Sequence, residues 1–317
     1  NRFFLKEYQR SFSWKFDEKA SLILSSMQNQ ITNGYATPIP NLMTVFYPTA
    51  GDFMDEAAFS SWINMLLAHE TSHLYQLDTK QGFAKDLHPV VGNPIVFMTP
   101  WVVPVFIAPN ILMPTFMLEG NAVFNESRFG LGGRLFSGEY RALVFALAKS
   151  GQITAKRLFN DHLYFPFGKE KYLVGGYFFN HVNDKLSADR TNSIYLDHGN
   201  HFFNPLLLEG SFERSYGGTY DMWIDSFKKD IEEKAASQQK SSENALLAGY
   251  SWGGFNQNRD TVFGLFQQDM ITPPWFVRIR KADGQIVEKK RMDIPEGKMF
   301  WLDNRWWSVS SQQLSPT

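Results

Sequence analysis

The 317-residue chain has room for two domains, and its 44% hydrophobic and 20% charged content is that of a globular protein. A net charge of −1 supplies no basic field for nucleic acid, which is excluded as a partner. The chain contains no cysteine, so it has neither a disulfide framework nor a thiolate metal site.

The opening residues, NRFFLKEYQR, lack the apolar core of a signal peptide, and a chain starting at Asn1 is expected to be a processed or trimmed product. FFLKEYQRSFSWKF alternates loosely and reads as strand or helix. From 31 to 49, ITNGYATPIPNLMTVFYPT reads as two strands about the Asn33-Gly34 turn signal. Pro38 and Pro40 cannot donate ladder hydrogen bonds and place this segment at a sheet edge. Such an edge is either a plain hairpin or a template for an extended peptide.

A helix is predicted from about Glu56 to Leu77, capped by Asp55. Phe59, Trp62, Ile63, Leu66 and Leu67 recur at helical spacing, and Glu70 and His73 fall on the same apolar stripe with His69 at its flank. These three residues belong to His69-Glu70-Thr71-Ser72-His73, an H-E-x-x-H pattern. One turn apart on a helix, two imidazoles can share one metal ion while the adjacent glutamate serves as a base. Pointing inward, such polar groups are costly without partners, and a metal satisfies them. The bland reading is a helix with satisfied core histidines.

Residues 78–118 read as an apolar, proline-punctuated insertion. No Asp, Glu, Lys or Arg occurs between Asp86 and Glu119, yet Pro89, Pro94, Pro100, Pro104, Pro109 and Pro114 interrupt the run. A continuous spanning helix is therefore not expected. The stretch 87–118 is either a loop buried over a cleft or a contact for a membrane or a partner protein.

TFMLEGNAVFNESRF (115–129) returns to helical spacing, with Glu119 and Glu126 on one face and Gly120 open to a neighbouring backbone. GLGGRLFS (130–137) is a glycine-rich turn without the Lys-Ser/Thr of a phosphate loop. Helices are predicted at about 138–149, 153–160 and 171–186. The stretch 187–220 reads as polar loop, in which Asp197, His198 and His201 are weak candidates for a second metal against a plain turn. A helix at about 219–239 ends in SQQKSSEN, a linker signal. Beyond it, 241–317 reads as short strands with a hairpin turn at Asp283-Gly284.

A catalytic zinc takes three protein ligands and leaves one position open. A metzincin would need Gly at 76 and His at 79, and this chain has Gln76 and Thr79. The other common solution is a glutamate from a following helix, for which Glu119 is the best candidate.

Glu119-Gly120-Asn121-Ala122 with Glu126 resembles the E-G-x-A-x-x-x-E signature of gluzincin metallopeptidases. The resemblance implies that His69, His73 and Glu119 ligate one Zn²⁺ and that Glu126 supports a ligand histidine. It also implies that Glu70 is the general base and Tyr172, in Tyr172-Leu173-Val174-Gly175, the oxyanion donor, with Tyr177 as fallback. NGYATPIP, W-x-x-x-L-x-x-H-E-x-x-H-x-x-Q-L-D from Trp62 to Asp78, the Pro-rich loop, E-G-x-A and Gly133-Arg134 together resemble bacterial envelope proteins. In those, a gluzincin-like domain precedes a TolB-like β-propeller, and the cysteine-free composition fits that compartment.

The implied architecture is α+β: a mostly helical zincin-like domain at 1–240 with an edge sheet, then an all-β region at 241–317 that opens a propeller. The implied function is hydrolysis of peptide bonds in a peptide or protein substrate through a metal-activated water. The substrate backbone is expected along Gly34, Tyr35, Ala36 and Thr37, with Asp78 beside the ligands. The G-x-M-E-N motif of aminopeptidase relatives is missing, which favours an endopeptidase. The expected location is periplasmic or outer-membrane associated. Two competing readings are an inactive or structural-zinc scaffold protein, and a peptidase autoinhibited by the apolar loop or the β-region.

Overall fold

The computed structural model describes residues 2–15, 20–25, 33–38, 41–46, 58–59, 62–91, 108–130, 132–159, 166, 168–201, 208–237, 251–267, 275–291, 297–302 and 305–310. The chain divides into two compact units, Asn1–Ser237 and Gln238–Thr317. The first is mostly helical with a small sheet, and the described part of the second is all strand, so the class is α+β. No described helix is long and apolar enough to cross a membrane.

The helices of the first unit are α1 (Arg2–Ser11), α2 (Trp62–Asp78), α3 (Gly82–Val91), α4 (Thr115–Ser127), α5 (Gly138–Lys149), α6 (Ala155–Phe159), α7 (Glu170–Lys185), α8 (Ala188–Gly199), α9 (Glu209–Tyr216) and α10 (Tyr220–Ser237). Three strands, β1 (Ser21–Ser25), β2 (Asn33–Pro38) and β3 (Asn41–Phe46), form a sheet in the order β1-β3-β2. The β2–β3 pair is antiparallel and β1–β3 parallel. Among the described residues β2 is thus an edge strand, which suits the proline at its end, Pro38. β2 also lies against α2: a Cβ on Gly34 would meet the Leu66 side chain at 2.9 Å.

α2 is the axis of the unit. Every residue from Ala68 to Gln76 is buried, so the helix is enclosed around its whole circumference and not along one stripe. Tyr8 of α1 and Phe12, just after that helix, pack their rings on Tyr75, and the Tyr8 hydroxyl donates to the Ala68 carbonyl at 2.8 Å. The helix begins at Trp62, later than the predicted Glu56, and Asp55 lies outside the described residues. Ala58–Phe59 instead form a short strand, β4, paired with Gly132–Gly133, β5. A backbone pairing from a distant glycine turn overrides the helical spacing of Phe59.

α4 lies beside α2 and crosses α7 at very short range. A Cβ on Gly120 would sit 2.5 Å from the Gly175 carbonyl carbon, and one on Gly176 would sit 2.6 Å from a Val123 methyl. Glycines at the crossing let the two backbones touch. Phe116 and Phe178 close the contact with their rings at 6.2 Å.

Two stretches depart from the sequence expectation. Within 78–118, residues 82–91 form α3, with Pro89 inside it. That proline falls near the end of a helix that stops at Val91, where it removes a single hydrogen bond after the helix has nucleated. Residues 92–107, the centre of the apolar stretch, lie outside the described residues. The stretch 187–220 holds two helices, α8 and α9, and is not the expected polar loop. Ser187 caps α8 by accepting from the Arg190 N–H, and Gly217 ends α9 with φ of 78°. Ile194, Tyr195, Phe212 and Tyr216 are buried, so tertiary packing stabilises helices whose exposed faces are polar.

In the second unit, β6 (Ser251–Gln257), β7 (Thr261–Gln267), β8 (Trp275–Arg280) and β9 (Ile286–Arg291) form one antiparallel meander in the order β6-β7-β8-β9. The β8–β9 turn uses Asp283-Gly284: Gly284 has φ of 71°, and Asp283 accepts from the Gln285 N–H at 3.0 Å. β10 (Gly297–Leu302) and β11 (Arg305–Ser310) make a separate antiparallel pair.

Candidate metal centre

His69 and His73 project from one face of α2, a turn apart, toward Glu119 on α4. The two Nε2 atoms are 3.1 Å apart, and Glu119 Oε2 lies 3.2 Å from His69 Nε2 and 3.3 Å from His73 Nε2. Three ligand atoms therefore converge on one point, and this group is able to hold a metal ion. Two neutral imidazoles and a carboxylate are a donor set suited to zinc.

The far side of each imidazole is held differently. His69 Nδ1 lies 2.8 Å from Glu126 Oε2, an oxygen of a fully buried side chain. The other oxygen of Glu126 accepts from the Arg134 backbone N–H at 3.0 Å, and the Arg134 Nε stands 3.7 Å away. His73 Nδ1 faces Gln76 Oε1 at 2.9 Å. Gln76 carries no sequence motif for metal binding, but its position one turn beyond His73 is a signal that sequence reasoning could have used. Asp78, expected beside the ligands, accepts from the Lys80 ammonium at 2.6 Å, and both groups are buried.

Glu70 is 3% exposed, and its Oε2 has no hydrogen-bond partner among the described residues. An orphaned carboxylate oxygen beside a cluster of metal-ligating atoms fits a base that works on a bound water or substrate. The Tyr172 ring stacks on that of His69 at 6.5 Å, and the Arg134 guanidinium lies 5.3 Å from the Tyr172 centroid. Burial first, and then the charge of Glu119, keep the Tyr172 hydroxyl protonated well above the ordinary phenol range. Tyr177 is engaged elsewhere, donating to the Leu135 carbonyl at 3.3 Å.

The charges are coupled. Burial opposes protonation of His69, but hydrogen bonds to Glu119 and Glu126 outweigh it and raise its pKa to about 9. His73 is also raised, burial again losing to the Glu119 charge and hydrogen bond. Burial alone would raise Glu119, yet the two histidines hold it well below the usual carboxylate range.

The loop that positions Arg134 depends on Gly133, whose φ is 130° and whose added Cβ would lie within the van der Waals radius of Ser127. The Ser127 hydroxyl in turn accepts from the Leu135 N–H at 3.3 Å. Arg134 appeared in the sequence only as part of Gly133-Arg134, and its approach to Glu126 comes from this fold-back.

The other candidate residues sit apart from this cluster or beside it. β2 carries Gly34–Thr37 past Leu66, one turn before His69. The second set, Asp197, His198 and His201, does not assemble into a metal-capable group among the described residues. Asp197 takes a paired contact from Arg214 at 2.9 Å, and His201 Nδ1 bonds the Asp197 carbonyl at 2.7 Å. His198 turns inward, where its Nδ1 lies 2.8 Å from Asn110 Oδ1. Asn110 also donates to the Gln76 and Tyr195 carbonyls at 2.8 and 2.9 Å, which satisfies backbone groups of α2 and α8.

No protein-family model matches the chain, and neither the curated proteins nor the solved structures give a match.

Proposed function

We propose that the first unit is a zinc-dependent metallopeptidase, with His69, His73 and Glu119 as metal ligands. The observation that carries this is the convergence of those three ligand atoms beside the orphaned, buried Oε2 of Glu70. A purely structural site needs no base next to its ligands, so this oxygen supports the catalytic reading. When bound, zinc supplies Lewis acidity toward a water and the scissile carbonyl.

The chain's own residues do the rest. Glu70 removes a proton from the attacking water and delivers it to the leaving amine. The Tyr172 hydroxyl, kept protonated by burial and Glu119, donates to the oxyanion as the carbonyl carbon becomes tetrahedral. Glu126 orients His69, and Arg134 balances the Glu126 charge. β2, with Gly34 seated on Leu66, is the strand assigned to hold the substrate extended. The missing amine-anchoring motif supports an endopeptidase.

The meander of β6–β9 is the kind of four-stranded unit from which propellers are repeated, and this supports reading the second unit as a propeller opening. The sequence resemblance supports a location in the bacterial envelope.

The test is elemental analysis of the purified chain together with cleavage of a broad peptide library. Zinc at one equivalent with peptide cleavage supports the proposal. A zinc-loaded chain that cleaves nothing overturns it in favour of a scaffold with a structural metal.

A further inference from the structure

The two imidazoles have unlike supports. His69 faces the carboxylate of Glu126, whereas His73 faces the neutral amide of Gln76. Gln76 is fully buried, and its orientation is fixed by chemistry. Its Nε2 donates to the Leu118 carbonyl at 3.0 Å and to Asn121 Oδ1 at 2.8 Å. A backbone carbonyl only accepts, so the NH₂ end of the amide must face Leu118 and the oxygen must face His73. An acceptor at 2.9 Å from Nδ1 requires the hydrogen to sit on Nδ1. The neutral ring then presents its lone pair at Nε2, the atom that meets Glu119 and His69.

Gln76 cannot turn away without breaking a buried network. Asn121 also takes a hydrogen bond from Asn125 at 2.8 Å and gives one to Asn192 at 2.9 Å. Asn192 donates to the Ser11 hydroxyl at 3.1 Å. All of these residues are fully buried, so each lost bond leaves a polar group unsatisfied. The network joins α1, α2, α4 and α8. Leu118 immediately precedes Glu119, so the same turn of α4 delivers the third ligand and clamps the amide behind the second.

Resting on the reading that His69, His73 and Glu119 hold a metal, we propose that Gln76 is a positioning residue of that centre. It sets His73 to ligate through Nε2, and it does so without adding a fourth carboxylate to Glu70, Glu119 and Glu126. The neutral support leaves the ion more electrophilic than a second anionic partner would.

The test uses the full chain with Gln76→Leu and Gln76→Glu. Zinc affinity is read by competition with a chelating dye, and the His73 Nδ1–H by ¹H–¹⁵N spectroscopy of the zinc-loaded protein. Wild type is expected to show a slowly exchanging Nδ1–H. Gln76→Leu is expected to lose that signal and to bind zinc about 10–100-fold more weakly. Gln76→Glu keeps an acceptor for His73 and is expected to keep the signal, which makes the test independent of whether the leucine variant folds. Loss of the signal in Gln76→Glu overturns the assignment. So does wild-type affinity with a retained signal in Gln76→Leu. A wild type that binds no zinc at these histidines overturns the metal centre itself and this inference with it. Wild-type zinc binding with an indifferent Gln76→Leu overturns the role of Gln76 alone.

Discussion

His69 Nδ1 and Glu126 Oε2 lie 2.8 Å apart, and this contact ties α2 to α4 behind the face where the ligand atoms meet. The carboxylate fixes the ring's orientation and raises its basicity, as partners of ligand histidines do. Glu126→Gln is expected to weaken zinc binding by about 10–100-fold, read by chelator competition. Unchanged affinity would show that the contact is structural only.

Glu70→Gln is expected to keep the metal, because Glu70 is not among the converging ligand atoms. Peptide hydrolysis at saturating zinc should fall by at least about 10²-fold, the range for loss of a general base. Metal content by elemental analysis and hydrolysis of a fluorogenic peptide check both halves. A variant that cleaves normally removes Glu70 from the chemistry.

Tyr172→Phe removes the hydroxyl and keeps the ring that stacks on His69. The expected result is a kcat lower by about 10²–10³-fold with little change in KM, as when one oxyanion donor is removed. Tyr177→Phe should leave kcat unchanged, since that hydroxyl is bonded to the Leu135 carbonyl. The reverse pattern would transfer the role to Tyr177.

Gly120→Val places a side chain where backbone already sits, 2.5 Å from the Gly175 carbonyl carbon. Forcing α4 from α7 should cost at least about 1–3 kcal/mol and carry Glu119 away from the histidines. A lower Tm together with loss of zinc is expected. Gly138→Ala, with nothing within 4 Å of the added carbon, should melt as wild type does.

Protons and metal compete for the same atoms. His69 has a folded pKa of about 9 against 6.5 for a free imidazole. A raised pKa contributes stability that is complete below about 6.5 and lost as pH rises through about 9. The metal-free chain should therefore lose thermal stability across that window, while zinc affinity rises over the same range. A zinc-loaded sample should not show the loss. Melting curves at stepped pH with and without chelator decide it, and a flat metal-free profile would count against the coupling.

The sequence by itself determined the parts governed by local spacing. His69, Glu70 and His73 share a helix because residues one turn apart share a face, and Glu119 and Glu126 repeat that logic on α4. The Asp283-Gly284 hairpin was legible for the same reason, since a positive φ at Gly284 is a local demand. Helices α8 and α9 were not legible, because their polar surfaces hide Ile194, Tyr195, Phe212 and Tyr216, whose burial depends on neighbours far along the chain. The partners of the imidazoles divided along the same line. Glu126 came from a family pattern, but the choice of Gln76 behind His73, with Asp78 paired to Lys80, was made by the packing of Leu118 and Asn121 of α4 against α2. A local pattern fixes which face a side chain occupies. Which buried polar atom it meets there depends on segments that only the tertiary fold brings together.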